Sequence, residues 1–359
     1  MQNLKIQVAS GSDERYYMGL LMTLSSILIS CKNKAQVEFH ILDGGIKEHS
    51  WEQLKKIVRK ISPETKINRY KPDLSIFSHF PAFFFDTPMN YARLLLPELL
   101  KDYDKVIYTD SDILHLKDIS LLWQHNLRDN AVAACVEMVT PTLGSEYFDL
   151  AKLQLDGKKS YFNNGLMVMN LKKWRKHRIA EDIMQFLASN PKDCYFHEQS
   201  AMNVLLNDKV CFLDQSWNIQ SHRSIFRSEE HLDAFRNGEL NFHFVTKEKP
   251  WLTKGLELPH QMASLLYTEL GINIFSDASN ITGGSKSVRS ETLNVKILLH
   301  KFKSALYGIM GKTDKEQFHK RVAQYWSQQV LINKSYYRLN SKVTEILSAW
   351  QIQVNESQN

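Results

Sequence analysis

Two carboxylates two residues apart, Asp110-Ser111-Asp112, follow the apolar run Lys105-Val106-Ile107-Tyr108. Such a run reads as a buried strand, and where the backbone turns out of a strand two carboxylates can converge on one hard divalent cation. Oxygen ligands with open positions suit Mg2+ or Mn2+, with diphosphate oxygens completing the shell. Asp-x-Asp is also common in solvated turns, so the tripeptide alone leaves both readings open. Further along, the sequence holds other groups able to do chemistry. Tyr91-Ala92-Arg93 precedes the Asp pair, and Tyr161-Phe162-Asn163-Asn164-Gly165 precedes an apolar run. His197-Glu198-Gln199 opens a helical pattern, and His243-Phe244 is followed by Lys247-Glu248-Lys249-Pro250-Trp251.

The elements that must carry these residues show in the hydrophobic periodicity. Leu4 to Ser10 reads as a strand running into the turn Gly11-Ser12-Asp13. Leu20, Leu21, Leu24, Ile27 and Leu28 then recur at helical spacing. Val37, Phe39 and Ile41 alternate as a second strand, Leu54, Ile57, Val58 and Ile61 form a second helical stripe, and Lys66 to Tyr70 is a third strand. Strand alternating with helix predicts a parallel sheet with helices on its faces. Thr87-Pro88 reads as a helix start, with Thr as cap and Pro in the first turn. The strand at 105–108 delivers the Asp pair at its C-terminal end, where open α/β sheets bind ligands. Further strands are expected at Ala131 to Val136, Leu166 to Asn170 and Val210 to Leu213, with helices at Leu171 to Leu187 and Glu198 to Leu206. The fold class is thus α/β, a mixed sheet with helices on both faces over residues 1–275. Residues 276–292, poor in apolar side chains and rich in turn formers, read as a linker or mobile loop. Residues 293–359 read as a basic helical tail.

The five motifs, in this order and spacing, resemble those of the family 8 retaining glycosyltransferases over about residues 4 to 260. The resemblance implies a Rossmann-like GT-A fold that binds a UDP-sugar. It also implies a manganese ion held by both Asp of the Asp-x-Asp and by a later His, here Asp110, Asp112 and His243. Two carboxylates and an imidazole suit Mn2+ better than Mg2+, though Mg2+ is possible. Gly11, Asp13 and Tyr16 match positions near the nucleoside, although the usual spacing there is loosened to Ala9-Ser10-Gly11-Ser12-Asp13. Arg93 matches an arginine that reaches the donor sugar and acidic groups, Ser111 falls on the donor side, and Lys249 matches a diphosphate-binding lysine. Asn163 and Asn164 resemble a segment that hydrogen-bonds the transferred sugar, to which an amide offers both donor and acceptor. Gln199 corresponds to the residue beside the anomeric carbon, and Glu198 to one contacting donor or acceptor hydroxyls. Two positions depart from the pattern. Thr246 stands where glycine is frequent, and Ser200 where a second carboxylate is usual. With an amide at 199 and no carboxylate at 200, a front-side substitution is expected rather than double displacement through a covalent intermediate.

The chain of 359 residues is 43% apolar and 23% charged, an ordinary globular composition. Its longest apolar run, Met18 to Cys31, is too short to span a membrane, and the N-terminus goes straight into a strand pattern without a signal segment. The protein is therefore expected in the cytoplasm. Cys31, Cys135, Cys194 and Cys211 are scattered among apolar neighbours, as reduced core thiols are. The triplet Phe83-Phe84-Phe85 reads as packing, or as a lid over the sugar. The net charge of +6 is uneven: between Lys286 and Lys342 there are twelve Lys and Arg against three acids. Leu293, Ile297, Phe302, Leu306 and Ile309 interleave there with Lys296, Lys301 and Lys303, a pattern suited to an anionic membrane surface. Peripheral attachment to the inner face of the cytoplasmic membrane and a lipid-linked glycan acceptor follow as expectations, lipopolysaccharide or lipooligosaccharide core foremost, with a surface glycoprotein or polysaccharide as the alternative. A nucleic-acid-binding reading of the basic tail leaves the Asp pair, the Asn pair, His243 and Lys249 without a role, and no nucleic-acid partner is expected.

Overall fold

Strand β2 (Val37–Asp43) is buried at every position, and β1 (Ile6–Ser12) at all but one. Continuous burial of this kind belongs to a sheet covered on both faces. The computed structural model describes residues 5–81, 87–146, 148–221, 229–252, 258–272, 301 and 340–358. In it β1, α1 (Tyr17–Ser30), β2, α2 (Glu48–Ile61) and β3 (Lys66–Tyr70) form the expected alternation, with β1 parallel to β2 and β2 parallel to β3. Helix α2 buries one stripe, from Trp51 to Ile61. Helix α1 is buried almost all round, because its polar residues also serve the interior: Thr23 Oγ1 donates to the Ile113 carbonyl and Ser26 Oγ accepts from the His115 N–H.

The Thr87 side chain caps the next helical segment, as expected, but that segment winds as a 3-10 helix over Pro88–Leu95 before a single α turn, α3 (Leu96–Leu99). Pro97 has no N–H to give the Arg93 carbonyl, and Leu96 supplies it instead, which tightens the winding. The chain continues through β4 (Lys105–Thr109), β5 (Ile113–Leu114), α4 (Ile119–Trp123) and β6 (Val132–Val136). Then come β7 (Phe162–Asn170), α5 (Leu171–Lys176), α6 (Ile179–Ser189), α7 (Glu198–Leu206), β8 (Val210–Phe212) and β9 (Ile219–Gln220). The last described elements are α8 (Glu229–Arg236), β10 (Phe242–His243), α9 (Leu258–Glu269) and α10 (Asn340–Glu356).

Seven strands make one mixed sheet in the order β3-β2-β1-β4-β7-β6-β8, with β7 antiparallel to both its neighbours. The order reverses between β1 and β4, whose parallel C-terminal ends open the crevice that such sheets use for ligands. A second, three-stranded sheet, β5-β10-β9, lies beyond the end of β4.

Two sequence expectations change. The helix expected over 171–187 is broken into α5 and α6 at Arg178, whose φ of 50° is left-handed. Strand β7 begins at Phe162 rather than Leu166, so Asn163, Asn164 and Gly165 lie inside a central strand and not ahead of one.

The described residues of Met1–His222, Gly238–Lys247 and Gln353–Asn359 form one compact unit, and those of Arg223–Asn237 and Glu248–Ile352 a second. The boundary expected at 275 lies outside the described residues, and the last turn of α10 belongs to the first unit, where the Ser357 carbonyl accepts from Lys34 Nζ at 2.9 Å. The expected linker, the basic amphipathic helix at 293–310 apart from the exposed Lys301, and Phe83-Phe84-Phe85 lie outside the described residues. Among the described residues no helix is long and apolar enough to cross a membrane. The four cysteines are free thiols.

Candidate active site

Two strand pairings bring the Asp pair and His243 together. At the end of β4 the Asp110 N–H donates to the Gly165 carbonyl of β7. Two residues on, β5 pairs antiparallel with β10, which sets His243 opposite Ile113, and the Phe244 N–H donates to the Asp112 carbonyl. Ligand atoms of Asp110, Asp112 and His243 consequently lie within 4.8 Å of one another. His243 Nε2 is 3.0 Å from Asp112 Oδ1 and 3.8 Å from Asp110 Oδ2. The room they share exists because residue 165 is glycine. A Cβ there would stand 2.3 Å from His243 Cε1 and 2.8 Å from Asp110 Oδ2, closer than any real side chain comes. The donor set fits a divalent cation of the Mn2+ or Mg2+ kind: two carboxylates and one imidazole nitrogen facing a common point, with the ring held from its other side by Asn218, 3.0 Å from Nδ1. His115, buried behind this group and held to Thr109 Oγ1, is pushed down to about 3 by its burial, so it stays neutral and adds no competing charge.

Arg93 joins this cluster to the start of α7. Its Nη2 donates to Asp110 Oδ1 at 2.8 Å, its Nη1 to the Asn164 carbonyl at 2.7 Å, and its Nε lies 3.2 Å from Glu198 Oε1. The guanidinium stacks over the Tyr108 ring, whose hydroxyl also donates to Asp110 Oδ1. The tight 3-10 winding around Arg93 therefore orients an interior side chain. Glu198 is buried, and this raises its carboxyl from the usual 4.5 to about 7 even with Arg93 alongside. Its Oε1 also accepts from Asn164 Nδ2, while Oε2 has no hydrogen-bond partner among the described residues. Gln199 Oε1 accepts from the Asn164 N–H at 3.0 Å.

Of the residues singled out from the sequence, Asp110, Asp112, His243, Arg93, Asn163, Asn164, Glu198 and Gln199 are thus tied into one network, buried except for the half-buried Asp110, with Ser111 buried between the two Asp. Within it the Asn163 amide serves its neighbours: Oδ1 accepts from Gly165 N–H and Asn218 Nδ2, and Nδ2 donates to Glu137. Asp13 caps the turn after β1, accepting from the N–H groups of Arg15 and Tyr16 and pairing with the Arg15 guanidinium, so one of its oxygens holds the backbone that carries Tyr16. Gly11 is approached by Met89, whose Cε would lie 3.0 Å from an added Cβ. The same side chain fills the space over Gly44. Lys249 is buried and belongs to the second unit.

Several members of the network escaped the sequence reading. Asn218 and Glu137 are far in sequence from the residues they hold, and no spacing marks them. Glu146 places Oε1 3.4 Å from Ser200 Oγ, so a carboxylate stands beside position 200 although none is carried there. His197, just ahead of α7, has φ 54° and ψ −131°, a conformation costly for any residue but glycine, and its buried Nε2 has no hydrogen-bond partner among the described residues. The signal was present in part, since a histidine directly before Glu198-Gln199 was visible, but strain is not.

Comparison with known proteins gives the family and the fold. The family described as Glycosyl transferase family 8 matches residues 7–255. General stress protein A of Bacillus subtilis is 27% identical over 257 residues, 68% of this chain and 87% of that protein. Lipopolysaccharide 1,2-glucosyltransferase of Escherichia coli is 26% identical over 251 residues, 68% of this chain and 72% of that one. Among solved structures, an active-site mutant of LgtC superposes with a TM-score of 0.62 over 79% of this chain and 99% of its own, at 22% identity. The galactosyltransferase LgtC in complex with donor and acceptor sugar analogs gives a TM-score of 0.60 over 80% and 100%, at 23% identity. The shared fold is GT-A.

Proposed function

The chain belongs to glycosyl transferase family 8, and on that premise we propose that it is a retaining hexosyltransferase. It moves galactose or glucose from a UDP-sugar to a hydroxyl of a glycan, with lipopolysaccharide or lipooligosaccharide core as the preferred acceptor. The observation that carries this reading is the convergence of Asp110, Asp112 and His243 at the β1–β4 crevice, joined through Arg93 to Glu198 and Gln199. Asp110, Asp112 and His243 would hold the divalent cation, Mn2+ before Mg2+, which when bound neutralises charge on the UDP leaving group. Gly11, Asp13 and Tyr16 line the nucleoside end, Ser111 the donor side, and Lys249 meets the diphosphate. Asn163, through its place in the network, and Asn164 position the transferred sugar.

The reaction uses one face of the sugar. The bond from the anomeric carbon to phosphate oxygen breaks, a bond to the acceptor oxygen forms on the same side, and the acceptor proton passes to the departing phosphate oxygen. Gln199 stands at the opposite face as an amide, which stabilises positive charge at the anomeric carbon without a covalent bond, and Glu198 holds Arg93 and a sugar hydroxyl. The basic segment 286–342 brings the enzyme to anionic lipid, and so to a lipid-linked acceptor on the cytoplasmic side.

UDP release from UDP-glucose, UDP-galactose and UDP-N-acetylglucosamine, measured with Mn2+ and with EDTA, tests the proposal. Metal-dependent release from one of the two hexose donors is expected. No metal-dependent release from any of them overturns it. Glycan analysis of a deletion strain then reads the acceptor, with a truncated core expected.

A further inference from the structure

Behind His243 runs a chain of hydrogen bonds whose direction can be worked out from one end to the other. It starts at a donor with no ambiguity, the backbone N–H of Gly165, which gives its hydrogen to Asn163 Oδ1 at 2.9 Å. The other arm of the same amide, Nδ2, donates to Glu137 Oε2 at 2.8 Å, an acceptor. Both ends therefore fix which arm of Asn163 is oxygen. Asn218 meets that oxygen with Nδ2 at 2.8 Å, so its own Oδ1 must point the other way, toward His243 Nδ1 at 3.0 Å. An amide oxygen cannot donate. The hydrogen between Asn218 and His243 has to come from the imidazole, which places it on Nδ1 and leaves Nε2 to face Asp110 and Asp112.

We propose that Asn218 is a positioning residue for the metal centre: it fixes the hydrogen of His243 on Nδ1 and so reserves Nε2 as the ligand atom, with Asn163 and Glu137 setting its direction. The proposal rests on the reading of Asp110, Asp112 and His243 as a metal site. A histidine free to choose would put its hydrogen on Nε2, where it could be shared with Asp112 Oδ1 only 3.0 Å away, and a protonated Nε2 cannot bind a cation. The relay opposes that competing bond, because an Nε2–H tautomer would leave the Nδ1 lone pair against the Asn218 oxygen. Glu137 anchors the far end with its other oxygen, Oε1, accepting from the Val139 N–H. All four side chains are buried, so water does not compete for these bonds.

The test uses the full chain labelled with nitrogen-15 in its histidines, the His243 signals being assigned by their loss in His243→Gln. In the wild-type protein, Nδ1 is expected to carry a hydrogen both without metal and with Mg2+. In Asn218→Leu, at a pH where the ring is neutral, the hydrogen moves to Nε2, and affinity for Mn2+, read from the electron paramagnetic resonance of free Mn2+, falls about 10- to 100-fold. Asn218→Asp keeps an acceptor for the Nδ1 hydrogen and restores most of that loss. A bare Nδ1 in the wild-type protein overturns the relay without any variant having to fold. So does Mn2+ affinity in Asn218→Leu that stays within about twofold of wild type, or an Asp variant that binds no better than the Leu variant. Wild-type protein that binds neither Mn2+ nor Mg2+, with Nδ1 protonated as stated, overturns the metal reading on which the proposal stands.

Discussion

Gly165 shows how much can hang on one missing methyl. Any Cβ at that position would collide with the His243 ring and with Asp110 Oδ2. Gly165→Ala is therefore expected to displace His243 and weaken Mn2+ binding about tenfold or more, as loss of a ligand's support does, with circular dichroism close to that of wild type. Asp112→Asn removes a charged ligand and should abolish metal-dependent UDP release, whereas Gln199→Ala should leave substantial residual transfer. Equal and complete loss in both variants would count against front-side substitution. Glu198 supplies a pH dependence. Its carboxyl sits at about 7 in the folded chain against 4.5 when exposed, chiefly through burial, so between those values the folded state holds more protons than the unfolded one. Stability contributed by this group is thus greatest below 4.5, falls as pH rises through that window, and is level above about 7. The thermal midpoint of the metal-free protein should decline from pH 5 to pH 8, and in Glu198→Gln that decline should be visibly flatter.

At the scale of elements, the proposed metal ligands Asp112 and His243 depend on a sheet of three very short strands. β5 and β10 have two residues each, too few to hold register alone. Side chains do the remaining work. Thr23 and Ser26 of α1 bond the backbone of Ile113 and His115, and Asn241 Oδ1 accepts from the N–H groups of both Leu116 and Lys117 at 3.0 Å while its Nδ2 donates to the Trp217 carbonyl. Asn241 is fully buried, so Asn241→Ala takes the partner from the buried Leu116 N–H and from the half-buried Lys117 N–H and Trp217 carbonyl. A destabilisation of about 2–4 kcal/mol follows, read as a lowered denaturant midpoint, together with weaker Mn2+ binding because β10 carries His243.

For the whole molecule, the uneven charge matters more than its total. Twelve basic residues lie between 286 and 342 against three acids, whereas in the first unit Arg93 pairs with Asp110 and Arg69 with Asp43. Replacing Lys296, Lys301 and Lys303 together by Gln should reduce co-sedimentation with phosphatidylglycerol vesicles at low salt by about tenfold or more, at about 1 kcal/mol for each charge at the surface. UDP release from a soluble donor should stay near wild type in the same variant. Unchanged sedimentation would remove the membrane from the proposal. Deleting the segment through to the C-terminus is a poorer test, because the last turns of α10 bond Lys34 and the Ile29 carbonyl in the first unit.

The sequence by itself determined the α/β class, the order of strands and helices through β4, and the family, because hydrophobic periodicity and motif order are local and survive in one dimension. Lys66 to Tyr70 and Glu198 to Leu206 were readable to the residue, each bounded by polar or turn-forming neighbours. It also named Asp110, Asp112, His243 and Arg93, though it placed Asn163 and Asn164 ahead of a strand they lie within. What only the tertiary structure decided was who holds whom. Asn218 reaches His243 across 25 positions and Asn163 across 55, Asn241 reaches Leu116 across 125, and Glu146 stands beside Ser200 across 54. Such pairs leave no period or spacing behind, because each joins segments far apart in the chain that only the folded sheets and helices bring side by side. The direction of a hydrogen bond, and with it the nitrogen of His243 left for a cation, exists only once those strands have met.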